Sequence, residues 1–253
     1  MRKLLLLILI LASAAAGAAE TRRFAVLSLV GDKLLVAQYA QNQGFQTEQG
    51  LQALVSLDDN SFDKVVLQTV NTELKAIDRT NNPVLLVAKD SSLYEAQAVI
   101  SQTGKDSKAL LPLIGPMVRG SGATHLILVT KLKHEARVQQ LKDTFMGSGE
   151  LEGLGFYVDS GRATPNPNDP SASLPPVPVF GPFAYYKLEL VDLAKGEILK
   201  REEVVASRVF TNPGSSNAWA TLTNQEKIVA LEDIVRKETA KALPPLLGLP
   251  RIN

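Results

Sequence analysis

The stretch Phe183 to Phe210, FAYYKLELVDLAKGEILKREEVVASRVF, constrains this chain more than any other. Tyr186, Leu188 and Leu190 alternate with Lys187 and Glu189. That period of two predicts a strand with one buried side and one wet side. Asp192 to Gly196 supplies turn chemistry, because glycine tolerates the positive φ of a tight reversal. Ile198 to Val209 is the expected returning strand, and its charges guard the outer face against pairing with other sheets. The hairpin speaks to architecture and is silent on chemistry.

The amino-terminal residues Met1 to Ala19 read as a secretory signal peptide rather than as part of the fold. Arg2 and Lys3 form a positive start, Leu4 to Leu11 is unbroken apolar sequence, and Gly17 and Ala19 fit the −3 and −1 positions of a cleavage site. The apolar run is shorter than a spanning helix needs. No Cys follows it to carry a lipid anchor. The expectation is a periplasmic or secreted chain with no membrane span after cleavage. Without Arg2 and Lys3 the 27 basic residues fall to 25 against 26 acidic ones. This near-neutral balance, with no basic stripe, argues against a nucleic-acid partner. The lack of Cys excludes disulfides, thiol nucleophiles and thiolate metal sites.

Along the chain, Phe24 to Val30 predicts a strand, Gly31-Asp32 a turn, and Lys33 to Tyr39 the return of a hairpin. Asn60-Ser61 offers a helix cap, after which Phe62, Val65, Val66, Thr69, Val70 and Ile77 recur at helical spacing. Pro83 to Ala88 is apolar enough for a strand covered on both faces. Ser92 to Ser101 and Leu110 to Val118 predict short helices, and Thr124 to Thr130 and Leu154 to Val158 predict strands. Arg162 to Pro182 carries seven prolines and should hold little regular structure. Thr223-Asn-Gln-Glu226 is a capping box for a last helix that Pro244-Pro245 should stop. The expected fold is one α/β (α+β) domain over residues 20–253, with a mixed, largely antiparallel sheet and helices packed across it.

The pattern Tyr186-x-Leu188-x-Leu190-x-Asp192, then Gly196-Glu-Ile-Leu199 and a closing helix, resembles the end of small exported α/β domains of the bacterial envelope. Examples are the amino-terminal domain of the Tol-system translocation protein and the curli-secretion lipoprotein family. The resemblance implies a role in the cell envelope, with an envelope protein as partner.

Candidate chemistry is thin. Val26-Leu-Ser-Leu-Val-Gly-Asp32 resembles the first block of Gly-Asp-Ser hydrolases, but Lys33 stands where the nucleophilic serine belongs. Gly120-Ser121-Gly122 and Gly147-Ser148-Gly149 flank a serine with glycines, and neither is a Gly-x-Ser-x-Gly elbow. Ser121 with His125 is the weak catalytic candidate. Thr103-Gly-Lys-Asp-Ser107 imitates a phosphate loop but has Val99 where the first glycine is needed. Asp58, Asp59, Asn60 and Asp63 offer oxygen ligands to a hard cation, yet they precede a helix, where carboxylates are favoured anyway. No zinc spacing and no cofactor motif is present, so neither metal nor cofactor is expected. The expected binding surface is the proline-rich segment, namely Pro175, Pro176, Val177, Pro178 and Phe180. It serves either as an extended recognition strap or as a cover for one edge of the sheet. The reading is a non-enzymatic exported binding or envelope-assembly protein, against a serine hydrolase or a small-ligand carrier.

Overall fold

A computed structural model describes residues 22–39, 50–57, 59–89, 91–103, 105–141, 144–147, 149–159, 164–166, 169–174, 178–212 and 217–251. The expected signal segment lies outside them. The chain opens with β1 (Phe24–Ser28), β2 (Lys33–Tyr39), β3 (Gly50–Ser56), α1 (Ser61–Ile77), β4 (Val84–Leu86) and α2 (Ser92–Thr103). A 3-10 turn (Ser107–Leu110) leads into α3 (Leu111–Val118), β5 (His125–Lys131), β6 (Lys133–Glu135), β7 (Val138–Leu141), β8 (Thr144–Met146) and β9 (Glu150–Asp159). Then come β10 (Thr164–Asn166), β11 (Asp169–Leu174), β12 (Val179–Asp192), β13 (Glu197–Ser207), β14 (Phe210–Thr211), a second 3-10 turn (Ala218–Thr221) and α4 (Asn224–Leu246).

The 14-residue β12 is the spine. One of its edges pairs antiparallel with β13, as the alternation and turn predict, and with β14. Its other edge is shared. Val179 to Tyr185 pair with β9, and Tyr186 to Asp192 pair with β5, so β9 and β5 lie end to end. β1 runs parallel beside β5 and β2 runs parallel beside β9. Lys33 to Tyr39 is therefore not the return strand of a hairpin. It continues in the direction of β1, shifted onto the other half of the sheet. β4 closes one end beside β1, and β3 closes the other beside β2. The result is a single α+β domain whose ten-stranded mixed sheet curls into a half-barrel. At the handover from β9 to β5, Gly153 takes φ 71°, a conformation that glycine adopts without a Cβ penalty.

Tyr186, Leu188 and Leu190 all face the larger core, with Val26, Leu34 and Ile127 of neighbouring strands. Helices α1 and α4 cover it, because the helical spacing of Phe62, Val66 and Val70, and of Leu231 and Val235, gives each an apolar stripe. Each such side chain stabilises by about 1.5–3 kcal/mol when fully buried. The capping box forms as expected. Glu226 N donates to Thr223 Oγ1 at 3.3 Å, and Thr223 N donates to Glu226 Oε2 at 2.8 Å. The opposite face carries two smaller cores. Ala25, Leu27, Leu126 and Leu128 pack under α2 and α3, while Leu35, Tyr157, Phe183 and Tyr185 pack with Val138.

That second cover overturns the expected wet face of β12. Glu189 is fully buried, because the 3-10 turn and Arg201 of β13 close over it. β4 differs in the other sense. It spans three residues at the sheet edge and leaves Leu85 largely exposed, so it is not covered on both faces. The proline-rich segment holds more order than its composition suggests. β10 and β11 pair antiparallel, and Val179 and Phe180 already belong to β12. Finally, α4 runs through Pro244 and Pro245 to Leu246. In this last turn Leu247 N still reaches the Leu243 and Pro244 carbonyls, both at 3.1 Å.

Candidate functional site

Where β1 ends and β2 has not begun, the sheet is broken, and buried backbone groups there need partners from elsewhere. Two side chains supply them. Gln97 of α2 donates through Nε2 to Leu29 O at 2.8 Å and accepts from Lys131 N at 2.9 Å, bridging the ends of β1 and β5. Asp63, in the first turn of α1, accepts from Val30 N at 2.9 Å, Gly31 N at 3.2 Å and Ser28 Oγ at 2.5 Å. Its other oxygen accepts from the Tyr94 hydroxyl at 2.7 Å. Burial pushes the Asp63 carboxyl above its ordinary range, although these four bonds pull it back. Burial, and then the Asp63 charge, push the Tyr94 phenol well up, so it stays a neutral donor. Gly31 is there for space. A Cβ at this position would lie 2.8 Å from Asp63 N.

A cleft of about 710 Å³ opens over this break, between α2 and the β2–β3 wing. It stands at the carboxyl ends of the parallel strands β1 and β5, where open α/β sheets place ligands. Ion pairs brace its walls. Lys131 meets Asp32 at 2.5 Å, and Lys133 meets Glu150 at 2.5 Å. Ser101 donates to Glu152 at 2.5 Å, tying α2 to β9, and Gln52 of β3 donates to Glu150 O at 3.0 Å. Lys33, Lys89 and Glu95 are exposed at the mouth, and Leu35, Leu54 and Leu57 give an apolar patch. Among the described residues that line it, cations and carboxylates balance, a lining that suits a neutral or zwitterionic polar group better than a strongly charged one. It can bind and orient. Among the described residues that line it, none is an activated nucleophile.

The catalytic candidate Ser121 is occupied by its own turn. Its hydroxyl donates to Val118 O at 2.7 Å and accepts from Ala123 N at 3.2 Å, so its proton is not directed at an imidazole. His125 is buried at the head of β5, with Nδ1 2.8 Å from Thr124 Oγ1. Of the expected binding segment, Pro175, Pro176 and Val177 lie outside the described residues. Pro178 is buried. Phe180 is fully buried in the core, stacked at 5.4 Å on Phe156 and edge-on to Trp219 at 5.6 Å, with the Lys227 ammonium 4.2 Å above Trp219. Phe180 thus serves the fold, not an exposed strap. Asp63 is enclosed by donors, and Asp59 accepts from Ser61 N at 3.1 Å as a helix-start residue. Among the described residues no group of three or more His, Asp or Glu could hold a metal ion. Of the Thr103–Ser107 imitation of a phosphate loop, Thr103 ends α2, Gly104 lies outside the described residues, and Ser107 opens a 3-10 turn, where Asp106 accepts from Lys108 N at 2.9 Å. That backbone bond holds the Asp106 carboxyl below its ordinary value.

Sequence reasoning missed a second polar cluster under that turn. Ser107 donates to buried Glu189 and accepts from Lys187 Nζ at 3.2 Å. Arg201 meets Glu189 Oε1 through Nε at 2.7 Å and Nη2 at 2.6 Å. Two cations thereby compensate a carboxylate that would otherwise be costly to bury. The alternation carried no signal for it, because a charged residue between leucines reads as the wet face of a strand.

No family model matches the chain, and no curated protein matches it. Among solved structures, the PelC dodecamer from Paraburkholderia phytofirmans aligns over 88% of this chain and 86% of its own, at 13% identity and a TM-score of 0.28. A variant of the same protein aligns over 89% and 88%, at 13% identity and a TM-score of 0.25. These likenesses are too slight to bear on what the chain does. No helix among the described residues is long and apolar enough to cross a membrane.

Proposed function

We propose that this chain is an exported, non-enzymatic binding protein of the cell envelope, and that it holds its ligand or partner in the cleft above the β1–β2 break. The observation that carries the reading is the cleft itself. Among the described residues it has a hydrogen-bonded floor of Gln97 and of Tyr94, whose hydroxyl donates to Asp63, with charge-balanced walls and no activated nucleophile. Export is supported by the positive start and apolar run of Met1 to Ala19. The resemblance of the β12–β13 hairpin and closing helix to small envelope domains supports the same setting.

The test is native mass spectrometry of the mature chain purified from the periplasm, paired with photo-crosslinking in cells from Lys89. Ala98 is exposed and lines the cleft, so Ala98→Trp fills it without touching the core. A bound mass or crosslinked partner that disappears in Ala98→Trp supports the proposal. If neither is found with the wild-type chain, the cleft is not a binding site. Covalent labelling by a fluorophosphonate that is lost in Ser121→Ala would instead make the chain a serine hydrolase.

A further inference from the structure

The sheet path ends on β3 and β4, and three strands off it, β13 and β14 beside β12 and β6 beside β9, add further edges, of which β13 is the longest. Two of these edges are guarded. β13 carries Glu197, Lys200, Arg201, Glu202 and Glu203, and β4 is three residues long and follows Pro83. Charge, shortness and proline are the usual devices against edge-to-edge pairing. β3 has none of them. Its seven residues, Gly-Leu-Gln-Ala-Leu-Val-Ser, include no charge and no proline. It pairs with β2 on one side, and no described strand pairs with the other. Leu51 is 74% exposed, Leu54 65% and Val55 48%. An uncharged strand of this length whose outer amides and carbonyls meet no described strand is a template for one more strand.

We infer that β3 is a self-association edge, where a second copy of this chain adds its own β3 antiparallel about a two-fold axis through Ala53. Self-pairing is the arrangement the residues fit. In this register Gly50 to Ser56 pair along their whole length, and no charge stands opposite a like charge. The register with β2 puts Leu51, Ala53 and Val55 on the face of Leu34 and Val36, where the larger core begins. Across the axis Leu51 meets the partner's Val55, and Ala53 meets the partner's Ala53, so the larger core's face runs on across the axis. On the other face Gln52 meets the partner's Leu54. Gln52 and Leu54 both line the cleft, so the second copy adds to its rim. The inference stands whether or not the cleft binds a ligand. A seven-residue edge is smaller than a standard interface, so association is concentration-dependent.

The chain contains no Cys, so a single introduced thiol reports without background. The mature chain carrying Ala53→Cys should form a disulfide dimer on mild oxidation. Leu51→Cys mixed with Val55→Cys should form the hetero-dimer, and Leu51→Cys alone should form far less. Light scattering on wild type should give a mass rising to that of a dimer with concentration. Leu51→Lys, whose side chain is clear of the core, should weaken association at least about tenfold while leaving circular dichroism unchanged. A wild-type chain that stays monomeric at every concentration overturns the inference. So does an assembly that Leu51→Lys leaves intact, or one in which Ala53→Cys does not crosslink.

Discussion

The Tyr94 hydroxyl donates to Asp63 across 2.7 Å, and this bond fastens α2 to the first turn of α1 at the point where β1 ends. Asp63 is the hub, because two backbone amides and two hydroxyls converge on it. Asp63→Ala should therefore cost about 3 kcal/mol or more, as buried donors lose their acceptor. Tyr94→Phe removes a single bond and should cost about 1–2 kcal/mol. Urea midpoints of the two variants check the order. Equal midpoints would mean that the amides of Val30 and Gly31 find other partners.

The same carboxyl predicts a pH dependence. Burial raises Asp63 above its ordinary value of 3.8 in the folded chain. As pH climbs past that ordinary value, the unfolded chain gives up the proton first and then binds fewer protons than the folded one. Asp63's contribution is thus complete below the ordinary carboxylate range. It is lost as pH rises through the folded pKa, and flat above it. Asp63→Asn has no such proton to lose. The unfolding free energy of the variant relative to wild type should therefore grow across that window. A difference that stays constant with pH would show that the carboxyl titrates alike in both states.

What the sequence made legible was local. The alternation of Tyr186, Leu188 and Leu190 reads correctly because strand period alone decides which side chains share a face. Glu189 reads wrongly because its cover comes from Ser107, 82 residues away, and that contact leaves no trace in the alternation. The apparent β1–β2 hairpin fails for the same reason. Gly31-Asp32 has turn chemistry, but β5 and β9 lie end to end along β12 and draw β1 and β2 into line with them. The site left a faint mark. Asp63 shares a helical face with Val66 and Val70, and Gln97 shares one with Leu93 and Tyr94, so each is a polar group on an apolar stripe. Helix-start carboxylates are common enough to hide the first.

Gly31 and Gly115 make a matched pair of substitutions. A Cβ on Gly31 would meet backbone and carboxylate atoms of Asp63 at 2.8 Å, and neither can swing aside. Gly31→Ala should cost about 1–3 kcal/mol through overpacking. Gly115 sits inside α3 with nothing within 4 Å of the same added atom. Gly115→Ala gains helix propensity but sets its Cβ against the ring of the following Pro116, so it should change stability by less than about 1 kcal/mol. Thermal unfolding of both variants decides the matter, and a tolerated Gly31→Ala would mean that α1 can shift away from the break.

The two faces of β12 give the last prediction. Leu188→Ala opens a cavity in the larger core and should cost about 2–5 kcal/mol. Alternation alone predicts that Glu189→Ala is harmless. Its burial predicts otherwise, because the Arg201 guanidinium and the Ser107 hydroxyl would lose the carboxylate they surround. That loss should cost about 3–5 kcal/mol. Lys187→Ala should cost less, since Arg201 still neutralises Glu189 when Lys187, 3.5 Å away, is gone. Glu189→Met should recover much of the loss. It refills the volume and leaves Arg201 paired with Asp106 at 3.3 Å. Denaturant midpoints should fall in the order wild type, Lys187→Ala, Glu189→Met and Glu189→Ala. A Glu189→Ala variant as stable as wild type would mean that the 3-10 turn does not close over this strand.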